Sequence, residues 1–193
     1  MQIEIEKKYN LTDEDYSIIK EKTNFIEKVN LKDYYLDKDL ILAENNYFLR
    51  LRNWVYELKI SNSSKQKWID SCEEYDNEDE INEKIKQFWI TTDDVIWICF
   101  IDTFREKYEY NFKWQKITID IDKYQYWKRY EIEILYESKE NKEEREITEE
   151  KINNLIEDFR KEIWLTAESN NESYKIINCA MHQNIDLYEI LTK

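Results

Sequence analysis

Glu4, Glu6 and Lys8 stand two residues apart near the start of the chain. In an extended strand, residues at i, i+2 and i+4 project from one face. Four more pairs repeat this spacing: Arg50 with Arg52, Glu57 with Lys59, Asp120 with Asp122, and Glu131 with Glu133. Like charges at that spacing are about 7 Å apart and repel unless something neutralises them. Paired carboxylates offer hard oxygen ligands to a divalent cation. Arginine and lysine bind phosphoryl oxygens, arginine with two parallel donors. A face carrying both sets suits a metal-bound polyphosphate. The plainer alternative is the solvated face of an antiparallel sheet, which also alternates apolar and polar.

The elements that must carry these residues follow from the same alternation. Strands are expected over residues 3–8, 26–36, 47–52, 55–61, 67–75, 98–110, 115–124 and 130–135. Between the charged positions lie apolar ones, such as Ile117, Ile119 and Ile121, or Ile132 and Ile134. Thr12, followed by Asp13-Glu14-Asp15, marks a helix start. A second helix is expected over 77–88, with Ile81 and Ile85 one turn apart. Residues 137–146 read as a charged connection, and Thr148-Glu149-Glu150 opens a helix to about 163. Two further helical stretches lie near 173–181 and 187–191. The fold class is therefore α+β, an eight-stranded antiparallel β-barrel or strongly curved sheet with flanking and C-terminal helices, in one domain over 1–193. If the sheet closes, its charged face can line the interior while helices cover the apolar face outside.

Composition narrows the function. The chain has 193 residues, no Gly and no Pro, where average usage predicts about 13 and about 10. Gly-dependent phosphate loops are thereby excluded, so any phosphate must be held by side chains. The net charge of −14 argues against nucleic acid or a membrane surface as partner. Nothing in the chain has the length and apolarity of a transmembrane span, and the N-terminus has no signal-peptide pattern. Cys72, Cys99 and Cys179 are unclustered and odd in number, and read as free thiols in a reducing, cytoplasmic setting. Cys99 lies in an apolar run that reads as core, and the single histidine, His182, reads as a surface or helix-packing residue. Of the seven Trp residues, Trp54, Trp68, Trp89, Trp114, Trp127 and Trp164 fall at predicted element borders, where turns favour Gly, Asn or Asp.

The motif Glu4-x-Glu6-x-Lys8 resembles the hallmark of the CYTH superfamily, the triphosphate tunnel metalloenzymes. Six further segments resemble that family in order: Lys32-Asp33-Tyr34-Tyr35-Leu36-Asp37, Phe48-Leu49-Arg50-Leu51-Arg52, Tyr56-Glu57-Leu58-Lys59, Phe104-Arg105, Ile119-Asp120-Ile121-Asp122 and Tyr130-Glu131-Ile132-Glu133. The ending, with Ser173-Tyr174-Lys175 and Asp186-Leu187-Tyr188, is similar to thiamine-triphosphatase members. The resemblance implies hydrolysis of a small triphosphate, thiamine triphosphate or inorganic triphosphate, to a diphosphate and orthophosphate with Mg²⁺ or Mn²⁺. It implies phosphate contacts from Lys8, Arg50, Arg52, Lys59, Arg105 and Lys175. It implies metal ligands, or groups orienting them, among Glu4, Glu6, Asp120, Asp122, Glu131 and Glu133, with Glu74 a further candidate. Glu6 or Lys59 would activate the attacking water. The chain is expected to act as a monomer, with a homodimer left open. Two alternatives remain: a class IV adenylyl cyclase making cyclic AMP and pyrophosphate, and a non-catalytic module binding polyphosphate or nucleotide.

Overall fold

A computed structural model describes residues 2–61, 70–113, 115–137, 142–167 and 175–192, with backbone alone at 2–5, 70–72, 135–137 and 142–149. Eight strands form one antiparallel ladder: β1 (Gln2–Asn10), β2 (Asn24–Asp37), β3 (Tyr47–Arg52), β4 (Val55–Ser61), β5 (Asp70–Tyr75), β6 (Ile96–Phe112), β7 (Gln115–Tyr124) and β8 (Trp127–Glu137). Their order is β1-β5-β4-β3-β2-β6-β7-β8. Strand β1 pairs with β8 over nine positions and with β5 over three, so the ladder returns on itself as a barrel.

The alternation determines which face turns outward. Ile117, Ile119, Ile121, Tyr130, Ile132 and Ile134 pack outside the barrel against helix α4 (Lys142–Ile163) and α1 (Asp13–Lys22). Thr12 caps α1 as expected, accepting a hydrogen bond from the Asp15 backbone N–H at 3.0 Å. On the other side, Leu49 and Leu58 pack against the short helix α2 (Ile41–Glu44) and against Ile81 and Ile85 of α3 (Glu78–Ile85), which a 3₁₀ turn extends to Phe88. With both apolar flanks covered, the charged positions are left to the lumen.

Helices α5 (Lys175–Gln183) and α6 (Ile185–Thr192) cover one end of the barrel. Their Cys179, Ala180 and Leu187 pack on Tyr35, Cys99, Ile101 and Tyr124. Those four share the lumen face, since Tyr35 is two residues from Asp33, and Tyr124 two from Asp122. His182 stacks on Tyr126 with ring centroids 4.3 Å apart, a packing role.

Three expectations need correction. Helix α4 begins at Lys142, inside the stretch read as a charged connection, because lysine and glutamate propagate a helix as readily as they solvate a loop. Cys99 and Cys179 are not free thiols but form a disulfide. Their sequence separation of 80 hid the pairing; the fold brings β6 and α5 together with Cα atoms 6.2 Å apart. The thiol argument for a reducing compartment therefore falls. Trp127 opens β8 in extended backbone rather than in a Gly-favouring turn. Trp54, Trp89 and Trp164 do adopt left-handed backbone, at φ of 72°, 59° and 70°, and all three are exposed. Trp68 and Trp114 lie outside the described residues. No helix is long and apolar enough to cross a membrane among the described residues.

Candidate functional site

The lumen has two walls of different charge. On one, β3 supplies Arg50 and Arg52, and β4 supplies Glu57 and Lys59, each from an i, i+2 pair. Antiparallel register sets Arg50 opposite Glu57 and Tyr35, Arg52 opposite Asp33, and Lys59 opposite Glu74. Arg52 donates from Nε and Nη2 to the two Asp33 oxygens at 2.6 and 2.9 Å, a bidentate pair. Arg50 donates from Nε and Nη2 to Glu57 Oε2 at 2.8 and 2.5 Å. Lys59 pairs with Glu74, the further candidate. Burial works against ionised Asp33, but the Arg52 hydrogen bonds and the charges of Arg50, Arg52 and Lys175 bring its carboxyl down to about 2.

The opposite wall is acidic. Register aligns Glu6 with Glu133, Lys8 with Glu131, Asp120 with Glu131, and Asp122 with Arg129 across β1, β7 and β8. Arg105, from β6, gathers three of the acids. It donates from Nε and Nη2 to Asp122 at 2.7 and 2.8 Å and from Nη2 to Glu131 at 3.1 Å, and it pairs with Asp120. Lys8 pairs with Glu6. Lys175, first residue of α5, reaches into this wall with Nζ 2.6 Å from Asp122 Oδ2. Every expected site residue whose side chain is described thus faces the lumen. Glu4 is placed by backbone alone, opposite Leu135 and Cys72.

The electrostatics separate the members of this wall. Burial opposes ionised Glu6 and Asp122, yet Lys8, Lys59 and Arg129 around Glu6, and Arg105, Lys175 and Arg129 around Asp122, hold both far below the usual carboxylate range. Asp120 is instead pushed up by burial, an effect Arg105 only partly offsets. Glu133 rises to about 7, through burial first and then through the carboxylates of Asp120, Glu6 and Glu131. Burial brings Lys175 down to about 8 despite Asp122 beside it.

No three acidic, histidine or cysteine side chains among the described residues converge tightly enough to grip a metal as they stand. The donors nevertheless fit a hard divalent cation. Asp120 is fully buried and its Oδ1 has no hydrogen-bond partner. A buried orphan oxygen is costly, and beside Glu6, Glu131 and Glu133 it would be satisfied by a cation.

Arg129 was not anticipated. It is buried, pairs with Glu131, and its Nε is 3.9 Å from Asp122. Its signal was present: Arg129-x-Glu131-x-Glu133 is one lumen-facing alternation. Asp37, which ends a family-like segment, serves the fold instead, accepting backbone N–H bonds from Lys38, Leu42 and Ala43 at 2.7, 3.0 and 2.9 Å.

The barrel has known counterparts. It superimposes on the Hippeastrum protein HpAC1, an adenylyl cyclase candidate with a dominant triphosphatase activity, at TM-score 0.67 and 15% identity, covering 97% of this chain and 99% of that one. The PH1819 protein of Pyrococcus horikoshii matches at TM-score 0.59 and 22% identity, covering 86% and 92%. An adenylate cyclase candidate from Bacillus halodurans matches at TM-score 0.54 and 13% identity, covering 91% and 96%. These likenesses concern the fold. No curated protein matches the sequence. The CYTH domain family model matches residues 2–162, most of the chain. The chain belongs to the CYTH family.

Proposed function

We propose that the protein is a divalent-metal-dependent triphosphatase that cleaves a small triphosphate to diphosphate and orthophosphate inside the barrel. The observation that carries this reading is the opposition of the two walls: paired cations on β3 and β4 face a carboxylate cluster on β1, β7 and β8. Arg50, Arg52 and Lys59 hold phosphate oxygens by exchanging their present carboxylate partners for a more highly charged anion. Lys8, Arg105 and Lys175 reach the same chain of phosphates from the other side. Glu6, Asp120, Glu131 and Glu133, with Glu4, would hold Mg²⁺ or Mn²⁺, and Asp122 orients Arg105 and Lys175. A metal so bound would supply neutralisation of charge on the leaving diphosphate.

The chain's residues then act mainly by position. Phosphoryl transfer needs little covalent chemistry, and a fixed cationic shell stabilises the spread negative charge of its transition state. Glu6, held firmly ionised, is a poor proton acceptor, so its part is to orient rather than to activate the water. Lys59, ion-paired with Glu74, likewise acts on phosphate as a cation and not as the water's base.

The substrate is inorganic triphosphate or thiamine triphosphate, since the lumen groups recognise phosphates and the C-terminal end is similar to thiamine-triphosphatase members. A cyclase reading uses the same lumen on ATP. Incubation with tripolyphosphate, thiamine triphosphate or ATP in Mg²⁺ or Mn²⁺, with products resolved, separates the two. Orthophosphate plus diphosphate supports hydrolysis. Cyclic AMP plus pyrophosphate from ATP overturns it, and binding without turnover points to a non-catalytic module.

A further inference from the structure

Lys175 and Cys179 are four residues apart in α5, and so lie one turn apart on the same face. That face looks into the covered end of the barrel. Cys179 is bonded there to Cys99 of β6. Around it, Asn178 donates to the Tyr124 hydroxyl at 3.4 Å, and Gln183 both donates to the Phe100 carbonyl at 2.7 Å and accepts from the Phe100 N–H at 2.9 Å. One turn away, the Lys175 ammonium is 5% exposed and 2.6 Å from Asp122 Oδ2, but makes no hydrogen bond of good geometry. An ammonium has three donors. A buried ammonium in that state owes its place to its helix as well as to the Asp122 ion pair.

We propose that the Cys99–Cys179 disulfide is a latch that positions Lys175 in the lumen, so that triphosphate binding depends on the redox state of this bond. The proposal rests on the phosphate-binding reading of the lumen. Cys99 and Cys179 are positioning residues, since neither touches the phosphates. A dithiol reductant opens the latch. Its thiolate attacks one sulfur of the pair, the mixed disulfide resolves, and the products are two cysteine thiols and the reductant's cyclic disulfide, two electrons and two protons having passed. Both sulfurs belong to buried residues. Exchange therefore proceeds through transient opening of the α5–α6 cover. With the latch open, α5 keeps its apolar contacts but loses its covalent tie to β6, and Lys175 loses its fixed approach to Asp122 and the substrate.

The test measures tripolyphosphate affinity by calorimetry in metal-free buffer. It uses oxidised and dithiol-reduced wild type, the same two states of Lys175→Met, and Cys179→Ala. Amide exchange of α5 and α4 is followed in parallel. Reduction and Cys179→Ala are each expected to weaken binding about tenfold, the scale of one charge-assisted contact. In Lys175→Met, reduction is expected to change nothing. Exchange is expected to quicken in α5 and not in α4. The latch is overturned if reduction leaves wild-type affinity or α5 exchange unchanged, or weakens Lys175→Met as much as wild type. If oxidised wild type does not bind tripolyphosphate while α5 exchange still responds to reduction, the phosphate reading has failed instead.

Discussion

The β3–β4 wall and the β1–β7–β8 wall of the lumen come from the same alternation but differ in charge balance. On the first, Arg50, Arg52 and Lys59 each face a carboxylate from a neighbouring strand. Asp33 can therefore stay ionised although it is fully buried. On the second, Glu6, Asp120, Asp122, Glu131 and Glu133 crowd around too few cations. Arg105 is shared by three of them, and Asp120 and Glu133 are left pushed up. A matched wall stabilises the fold by itself. An anion-rich wall stores a cost that a bound cation, or a proton at low pH, relieves. The difference explains how one lumen can take both a metal and a polyanion.

The sharpest way to break the comparison is to remove donors from the acidic wall. Asp120→Asn combined with Glu131→Gln is expected to lower kcat for triphosphate about 10³-fold, with apparent affinity much less changed. Phosphate-release kinetics check this, and a main effect on KM would move these residues to the other wall. Next is the cationic wall: Arg52→Ala should weaken tripolyphosphate binding about 100-fold, read by calorimetry, because one charge-assisted bidentate pair is lost.

Stability should distinguish the walls by sign. Asp33 has its carboxyl lowered from 3.8 to about 2, so it contributes about 2 kcal/mol. That contribution is present above about pH 4 and is lost as pH falls through about 2. Asp33→Asn should accordingly lower Tm at pH 7 by about 5 °C. Glu133, raised from 4.5 to about 7, has the opposite sign: its contribution is present at low pH and is lost as pH rises through 7. Glu133→Gln should raise the Tm of metal-free protein at pH 8, and should impair turnover once Mg²⁺ is supplied. Thermal melts at both pH values decide, and equal signs for the two substitutions would dissolve the distinction. The smallest effect on activity belongs to neither wall. Replacing Trp54, Trp89 and Trp164 with glycine should raise Tm by a few degrees and leave kcat unchanged, since each left-handed non-glycine residue costs about 1 kcal/mol.

The strands were legible because period-2 alternation is strong in them: β7 spans 115–124 as the isoleucine pattern predicts. The inside-out orientation was legible from like charges at i, i+2, which an open solvated face would not favour. Arg129 escaped because the strand alternation was expected only from residue 130, whereas β8 starts at Trp127, although its parity matches that of Glu131 and Glu133. The disulfide escaped for a deeper reason: spacing in sequence carries no information on two elements that meet only when α5 covers the end of the barrel. Helix α2 was missed because its four residues are set by Asp37 capping its first turn, not by a periodic pattern. The glycine-like turns at Trp54, Trp89 and Trp164 were readable from element borders, whereas Trp127 shows that a border alone does not require positive φ.

The most direct test of the account is orthophosphate release from tripolyphosphate by wild type and by Glu6→Gln, with and without Mg²⁺. Metal-dependent hydrolysis gives equimolar orthophosphate and pyrophosphate from wild type only when Mg²⁺ is present, and a loss of about 10³-fold or more in folded Glu6→Gln. Wild type without metal-dependent release, or Glu6→Gln with undiminished release, would contradict it.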